Sequence, residues 1–439
     1  MKIIKNILGI VVLITTLQVN SQEVLTKKEA LKITLENNFG IKIAKNNKEV
    51  AKNNASIYNT RYLPNVSVSS GTNYRKENQT ITRQDGTSTN ANGAVTKSYN
   101  ASIGLNYTIF DGLGRKYNYQ QLKERYNLTE LQAKQTIENT YLQLFTTYFQ
   151  IARLSENKAN RNEALTISKQ RLQRAKYQYE YGQSTKLELL NAEVDVNNDS
   201  ISLINANQQL SNAKRGLNVI LGVNKESNYT VETNVEFLKM LNFNDLHQKT
   251  LTNNSVLKQN EKNIAISEFN LKVNKASYLP SLGFNTSYGW NKSENPATSF
   301  LAGATSSGLN AGLSLSWNVF DGGSTKTRVA NAKIALENQE ILLEQQKVTI
   351  ENNLKNIWEN YQNQLFILKA QEKNVLTTQN NFDRSKERYK LGQITSIEFR
   401  QAQINLINSK TAFNNAKFDA KLIELQLLQL SGDILNVEF

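Results

Sequence analysis

Ala101-Ser102-Ile103-Gly104-Leu105-Asn106-Tyr107-Thr108-Ile109-Phe110-Asp111-Gly112 puts an apolar or small residue at each odd position through Ile109 and a small or polar one at each even position. A period of two is that of a strand with one apolar face. The pattern returns in Leu309-Asn310-Ala311-Gly312-Leu313-Ser314-Leu315-Ser316-Trp317-Asn318-Val319, which again runs into Phe320-Asp321-Gly322. Each run has the roughly 9–11 residues that a tilted strand needs to cross hydrocarbon. The stretches Val66 to Tyr74 and Leu282, Phe284, Thr286, Tyr288, Trp290 supply hairpin partners, with Tyr and Trp near the strand ends as at a membrane interface. Hairpins are therefore expected at about 65–110 and 281–320, and the segments 75–98 and 291–307, rich in Asn, Thr, Ser and Gly, read as long polar loops. A soluble sandwich would show the same alternation. In lipid, four strands cannot close on themselves and an open edge leaves backbone groups unpaired, so several chains must pool strands; three would supply twelve.

Working outward, the whole chain is duplicated. Leu35-x-Asn37-Asn38 recurs as Leu251-x-Asn253-Asn254 and Tyr62-Leu63-Pro64 as Tyr278-Leu279-Pro280, both at an offset of 216. Phe110-Asp111-Gly112 recurs as Phe320-Asp321-Gly322, and Gly182-Gln183-x-Thr185-x-x-Glu188 as Gly392-Gln393-x-Thr395-x-x-Glu398, both at 210. The offset falls by six between the proline and Asp-Gly landmarks, so a surface loop of different length is expected between them. Pro64 and Pro280 follow helical patterns and precede alternating ones; with Asp111, Gly112, Asp321 and Gly322 they mark the switches between helix and strand.

From each Asp-Gly turn to Gly182 or Gly392 there is no proline and, past the turn, no glycine. Some 65–70 helical residues at about 1.5 Å each reach roughly 100 Å, more than a compact domain needs. Ile137, Tyr141, Leu144, Tyr148 and Ile151 form one stripe, with Leu142, Phe145, Phe149 and Ala152 as a second beside it. Two seams suit a helix wedged between two neighbours in a closed ring. The second half carries Leu354, Ile357, Tyr361, Leu365 and Leu368, with Trp358 in the place of Tyr148. Returning helices are expected over about 186–221 and 396–430, stopped by Gly222 and Gly432.

At the far tips, Gly182 and Gly392 can end a helix in the left-handed conformation, and Thr185 and Thr395 can cap the returning one. Glu188 and Glu398 have two roles open: completing a capping box, or forming a carboxylate ring at a pore constriction.

Lys2 and Lys5 precede an apolar run from Ile7 to Leu17, with Asn20 and Ser21 after it, so residues 1–21 read as a secretory signal peptide. The expected division is then a first repeat over 22–222, a polar equatorial linker over 223–245 and a second repeat over 246–439. The chain has no cysteine, which excludes disulfides, thiolate metal sites and a lipid on an N-terminal cysteine. One histidine, His247, excludes a multi-histidine metal site. The net charge of +14 falls to +12 without Lys2 and Lys5 and is spread along helical faces, with no basic block or nucleic-acid-binding motif. No cofactor is implied. A mean hydropathy of −0.52 and no later long apolar run exclude helical membrane spans, so strands must do any crossing.

In order and in duplicate, several landmarks resemble the TolC-like outer-membrane efflux protein family over essentially the whole exported chain. They are Leu25-Thr26-x-x-Glu29-Ala30-Leu31, Glu36-Asn37-Asn38, the two Leu-Pro switches, Val319-Phe320-Asp321-Gly322-Gly323 and the Gly-Gln tips. The resemblance implies an α+β membrane protein: a homotrimer with a 12-stranded outer-membrane β-barrel, four strands per chain, and a periplasmic α-barrel of long helical hairpins. It implies a closed periplasmic end that opens when a periplasmic adaptor protein and an inner-membrane pump dock. Ser184 and Ile394 stand where some members carry a basic residue, while Glu188 and Glu398 match carboxylate positions of others. The function implied is an exit duct for a tripartite efflux pump or a type I secretion system. A structural tether that transports nothing is the alternative from another class. An enzyme is the third reading, and no nucleophile elbow, phosphate loop or histidine dyad supports it.

Overall fold

The structure, a computed structural model, describes residues 24–224, 229–238 and 241–437. The signal peptide read over 1–21 lies outside them. In chain order the elements are β1 (Val24–Leu25), α1 (Lys27–Asn37), α2 (Phe39–Asn54), β2 (Asn65–Thr82), β3 (Ser88–Asp111), α3 (Gly114–Glu180) and α4 (Lys186–Leu221). They continue as β4 (Thr230–Val231), α5 (Phe243–Asn253), α6 (Ser255–Ala276), β5 (Ser281–Glu294), β6 (Gly303–Ser316), α7 (Ser324–Lys390) and α8 (Ser396–Leu430). The two halves run through the same order of helix pair, hairpin and helical hairpin, and α3 and α7 have 67 residues each. Each repeat opens on two helices rather than the single one expected, because Asn38 and Asn254 leave the helical conformation with ψ of 128° and 123°. Among the described residues, no helix is long and apolar enough to cross a membrane.

The chain divides into two units, one of residues 24–45, 133–257 and 346–437, the other of residues 46–132 and 258–345. The second unit is built on an antiparallel sheet of order β2-β3-β5-β6. Cross-strand partners share a face. Val68 pairs with Ile103, Ile103 with Tyr288, and Tyr288 with Leu309, so the odd-position residues of β3 join one apolar face. Val68 is 76% and Leu309 73% exposed, so nothing among the described residues covers that face. The opposite face is Ser, Asn, Gly and Thr: Ser67 pairs with Gly104, Gly104 with Ser287, and Ser287 with Asn310.

The hairpins correct two expectations. Segments 75–98 and 291–307, read as loops, are mostly strand, and only 83–87 and 295–302 connect. Apolar alternation marks only the part of a strand with one apolar side. Polar pairs such as Arg75–Thr96 and Thr80–Asn90 continue the ladder beyond it without that signal. The six-residue difference between the halves is likewise not a longer loop but longer strands, 18 and 24 residues against 14 and 14. In the second half the expected strand stops at Ser316 instead of Val319, because its partner begins at Ser281 after Pro280, which has no N–H to offer.

In the other unit, α3 supplies the core. Tyr141, Leu144, Phe145, Tyr148, Phe149, Ile151 and Ala152 are all at most 2% exposed, so most of both predicted stripes is buried, with Ile137 and Leu142 half-buried. Burying each large side chain contributes roughly 1.5–3 kcal/mol. They pack with Leu217 and Leu221 of α4 and Phe418 and Leu425 of α8. The Tyr148 hydroxyl donates to the Leu25 carbonyl at 2.7 Å and accepts from the Glu232 N–H at 3.0 Å, which ties β1 and the segment after β4 to the core. Within the linker expected over 223–245, Thr230 and Val231 pair in parallel with Val24 and Leu25, Tyr229 is buried, and α5 already starts at Phe243.

The recurring Asn-Asn motif is a clasp. The Asn38 amide donates to the Ile220 carbonyl at 2.8 Å while its Oδ1 accepts from the Ile41 N–H at 3.1 Å. In the second half Asn254 donates to Leu430 at 2.8 Å and accepts from Leu257 at 3.1 Å. Gly222 and Gly432, at φ of +69° and +74°, end the facing helices, and a Cβ there would lie 2.4 and 2.7 Å from the carbonyls of Asn37 and Asn253. Gly392 has the same φ of +74° with nothing within 4 Å. Alanine at either position should carry the left-handed penalty of about 1–2 kcal/mol, but G432A should add a backbone clash. Thermal unfolding of purified protein should therefore show G432A with a clearly lower midpoint than G392A; equal midpoints would refute the clasp.

Candidate functional site

The tips of the two helical hairpins both lie in the helical unit. At the first, the Gly182 N–H bonds the Tyr179 carbonyl at 3.0 Å and the Gln183 N–H bonds Gln178 at 2.7 Å. At the second, Gly392 bonds Tyr389 at 3.1 Å and Gln393 bonds Arg388 at 2.9 Å. Both are Schellman turns, which need a residue at positive φ, and Gly182 and Gly392 supply it at +69° and +74°.

The returning helices start differently. Thr395 accepts from the Glu398 N–H at 3.2 Å while a Glu398 carboxylate oxygen accepts from the Thr395 N–H at 2.7 Å, a complete capping box. These bonds, from the Thr395 N–H first and then its hydroxyl, hold the Glu398 carboxyl below its ordinary value. The capping box expected at Thr185 does not form: Thr185 occupies the cap position without a side-chain bond, and Glu188 accepts from the Ser184 hydroxyl instead. Ser184 stands where the other half has Ile394, so the first tip offers Glu188 a competing donor that the second lacks. Accordingly, E398A should raise amide exchange over the first turn of α8 and E398Q should not, since glutamine still caps. E188A should leave the first turn of α4 closer to unchanged; equal fraying at both tips would contradict the asymmetry.

The switches sit at the sheet's helix side. Pro64 and Pro280 immediately precede β2 and β5. Asp111 accepts from the Arg115 N–H at 3.0 Å, and Asp321 from the Thr325 N–H at 2.9 Å, so each aspartate caps the helix after its strand. Gly112 and Gly322 both have positive φ, 67° and 68°, but only Gly112 is pressed against a neighbour, with the Ala276 carbonyl 2.4 Å from where a Cβ would be. Half-buried His247 lies 3.8 Å from Glu351 and stacks on Phe243.

A polar network a few turns from the tips went unseen in the sequence. Arg400 of α8 donates to both oxygens of Asp199 on α4, at 2.7 and 2.9 Å, and the Ser168 hydroxyl of α3 donates to the same carboxylate. Arg171 of α3 donates to Asp195 at 2.9 Å and to the Ser396 hydroxyl at 2.9 Å. Gln403 donates to the Ala164 carbonyl at 2.9 Å. The two hairpins of one chain are thereby stitched together by charge-assisted bonds among largely buried side chains. Burial works against the Asp199 charge, but the bonds from Arg400 and Ser168 and the Arg400 charge outweigh it, and its carboxyl is held below the usual carboxylate range. Next to the network is a cavity of about 300 Å³ that Glu188, Asp195, Ser396 and Arg400 help to line. Of the predicted tip residues, it reaches Glu188 alone.

The network escaped the sequence reading because it is not duplicated. At the 210-residue offset Asp199, Asp195, Arg171 and Arg400 correspond to Ser409, Asn405, Asn381 and Leu190, so a search for recurring landmarks passes over it. The available signals were Asp195 and Asp199 at i,i+4, with Ser168 and Arg171 at i,i+3, each pair on one helix face.

The family model described as "Outer membrane efflux protein" matches the chain twice, over residues 30–223 and 246–433. The chain belongs to the outer membrane efflux protein family. Its two matches follow the duplication, and membership places the protein in the outer membrane with its helical part in the periplasm, in a family of channel proteins. Similar curated proteins are the outer membrane efflux protein BepC of Brucella suis biovar 1, 19% identical over 420 residues (94% of this chain, 88% of that one), and the outer membrane protein TolC of Vibrio cholerae, 20% identical over 302 residues (68% and 69%). The fold is similar to the CmeC outer membrane channel of Campylobacter jejuni, with a TM-score of 0.79 at 16% identity, covering 93% of this chain and 85% of that one. It is also similar to VceC of Vibrio cholerae, at 0.73 and 13%, covering 92% and 95%.

Because the folded-state Asp199 value is depressed, the network's stabilisation is complete above the ordinary aspartate value near about 4 and is lost as pH falls through it toward the folded value. Limited proteolysis or amide exchange around 160–205 and 390–410 should show loosening in acid that D199N already shows at neutral pH. A tip indifferent to both changes would contradict the assigned role.

Proposed function

We propose that this efflux-family chain is one protomer of a passive trimeric exit duct. Three copies pool four strands each into a 12-stranded barrel in the outer membrane, and their helical hairpins form a tube through the periplasm. The observation that carries this reading is the sheet, whose apolar face is exposed and whose outer strands, β2 and β6, each pair on one side only. In hydrocarbon such edges must find partners, and a second and third copy provide them.

Substrates would pass from an inner-membrane pump and periplasmic adaptor, in a tripartite efflux or type I secretion assembly, to the exterior. Tyr181 and Leu187 at one tip and the equivalent Leu391 and Ile397 at the other are 65–78% exposed and offer an adaptor a repeated apolar foothold. On this reading the Arg400–Asp199 network, which joins the two hairpins near their tips, would hold the periplasmic end closed.

Purified protein should run as a trimer and conduct ions in planar bilayers; a monomer without conductance would overturn the duct. R400M strips the main partner from a largely buried carboxylate, a change that typically costs about 3–5 kcal/mol. It should raise the fraction of time spent open without altering full-open conductance, and unchanged gating would remove the network from the gate.

A further inference from the structure

Followed toward the hairpin turns, away from the helices, the apolar face of the sheet ends in a basic and aromatic border. The last apolar row centres on Ala101 and Trp290, which pair directly. Next on the same face is Tyr99 with Lys292, and after it Tyr74 with Lys97, and Lys97 with Glu294. The longer first hairpin adds Lys76, opposite Val95 on that face. Three ammonium groups thus meet one carboxylate, Glu294, which lies 3.1 Å from Lys292 and 4.0 Å from Lys97.

The placement of these lysines is the anomaly. The other face carries neutral Ser98, Asn100, Asn291 and Ser293, and farther along β2 the ion pair of Arg75 and Glu77, 3.7 Å apart. If charge on these strands served only solubility or the passage of solutes, it would stand on that polar face. There Arg75 and Glu77 balance each other, and the excess positive charge stands on the face that continues the exposed apolar surface. Lys97 and Lys292 are diagonal neighbours on adjacent strands, at a spacing of about 7–8 Å that one phosphate group can bridge. Long lysine stems lie well along apolar surface with their ammonium at a headgroup plane, and Tyr and Trp favour the same depth.

We propose that Lys97, Lys292 and Lys76, with Tyr99 and Trp290, form a docking site for the net-anionic phosphate headgroup of a membrane lipid. The lipid's chains lie along Ile103, Tyr288 and Leu309, and its phosphate sits between Lys97 and Lys292. The site rests on the duct reading, since it needs this face to meet lipid in the leaflet on the turn side, opposite the helices.

The test uses full-length protein in which Trp317 is replaced by Phe, so that Trp290 reports the sheet. It is reconstituted into vesicles of phosphatidylcholine carrying brominated phosphatidylglycerol or, separately, brominated phosphatidylcholine. The anionic lipid should quench Trp290 at severalfold lower mole fraction than the zwitterionic one. K97Q/K292Q should remove most of that severalfold preference, since each cation near an anionic surface adds to it. K97R/K292R should keep it, which separates lost charge from misfolding. Equal quenching by both lipids, or an unchanged preference in K97Q/K292Q, overturns the site. Competition by millimolar inorganic phosphate overturns it in favour of a small-anion site. Failure to insert into vesicles at all sinks the duct reading instead.

Discussion

A strand edge in hydrocarbon cannot be left unpaired, and this chain has two. Each unpaired N–H or C=O at membrane depth costs several kcal/mol, so the four-stranded sheet of one chain is not a finished object there. The apolar face is complete and exposed, the polar face is lined with Ser, Asn and Gly, and the bonding capacity at β2 and β6 remains. Pooling strands between copies meets all three facts at once.

The same duplication that produces two hairpins has to hold two sets of helices together. The clasp does so with two parts per half: an asparagine that caps its own helix and reaches a carbonyl of another, and a glycine that lets the facing helix end come within contact of the chain. Asn37-Asn38 and Asn253-Asn254 stood out as recurring letters before any reason for them was visible. Their reason is tertiary, since Ile220 and Leu430 are 182 and 176 residues away.

Where the halves differ, the structure departs from repetition. Arg400 and Asp199 stand at non-equivalent positions of the two hairpins, so an exact repeat would form this pair twice. Arg400 opposite Asp199, with Leu190 and Ser409 at the matching positions, joins the two hairpins through one such pair and not two. Ser184 in place of Ile394 has a similar effect on a smaller scale, drawing Glu188 out of the cap that Glu398 completes.

Period-two and 3.6-residue patterns, proline placement and duplicated turns were enough to determine the hairpins, the long helices of some 65–70 residues, the glycine turns at their tips and the apolar face of the sheet, because each depends on residues close in sequence. They did not show that the polar segments beyond Tyr74 and Trp290 continue as strand, since a ladder between two polar strands has no apolar rhythm. Nor did they show which donor Glu188 would choose, how the segment after Gly222 joins β1, or that Arg400 meets Asp199. Those depend on backbone pairing and on helices brought together from opposite halves of the chain. Only the tertiary structure decides such encounters, because no local pattern records which distant face will lie opposite.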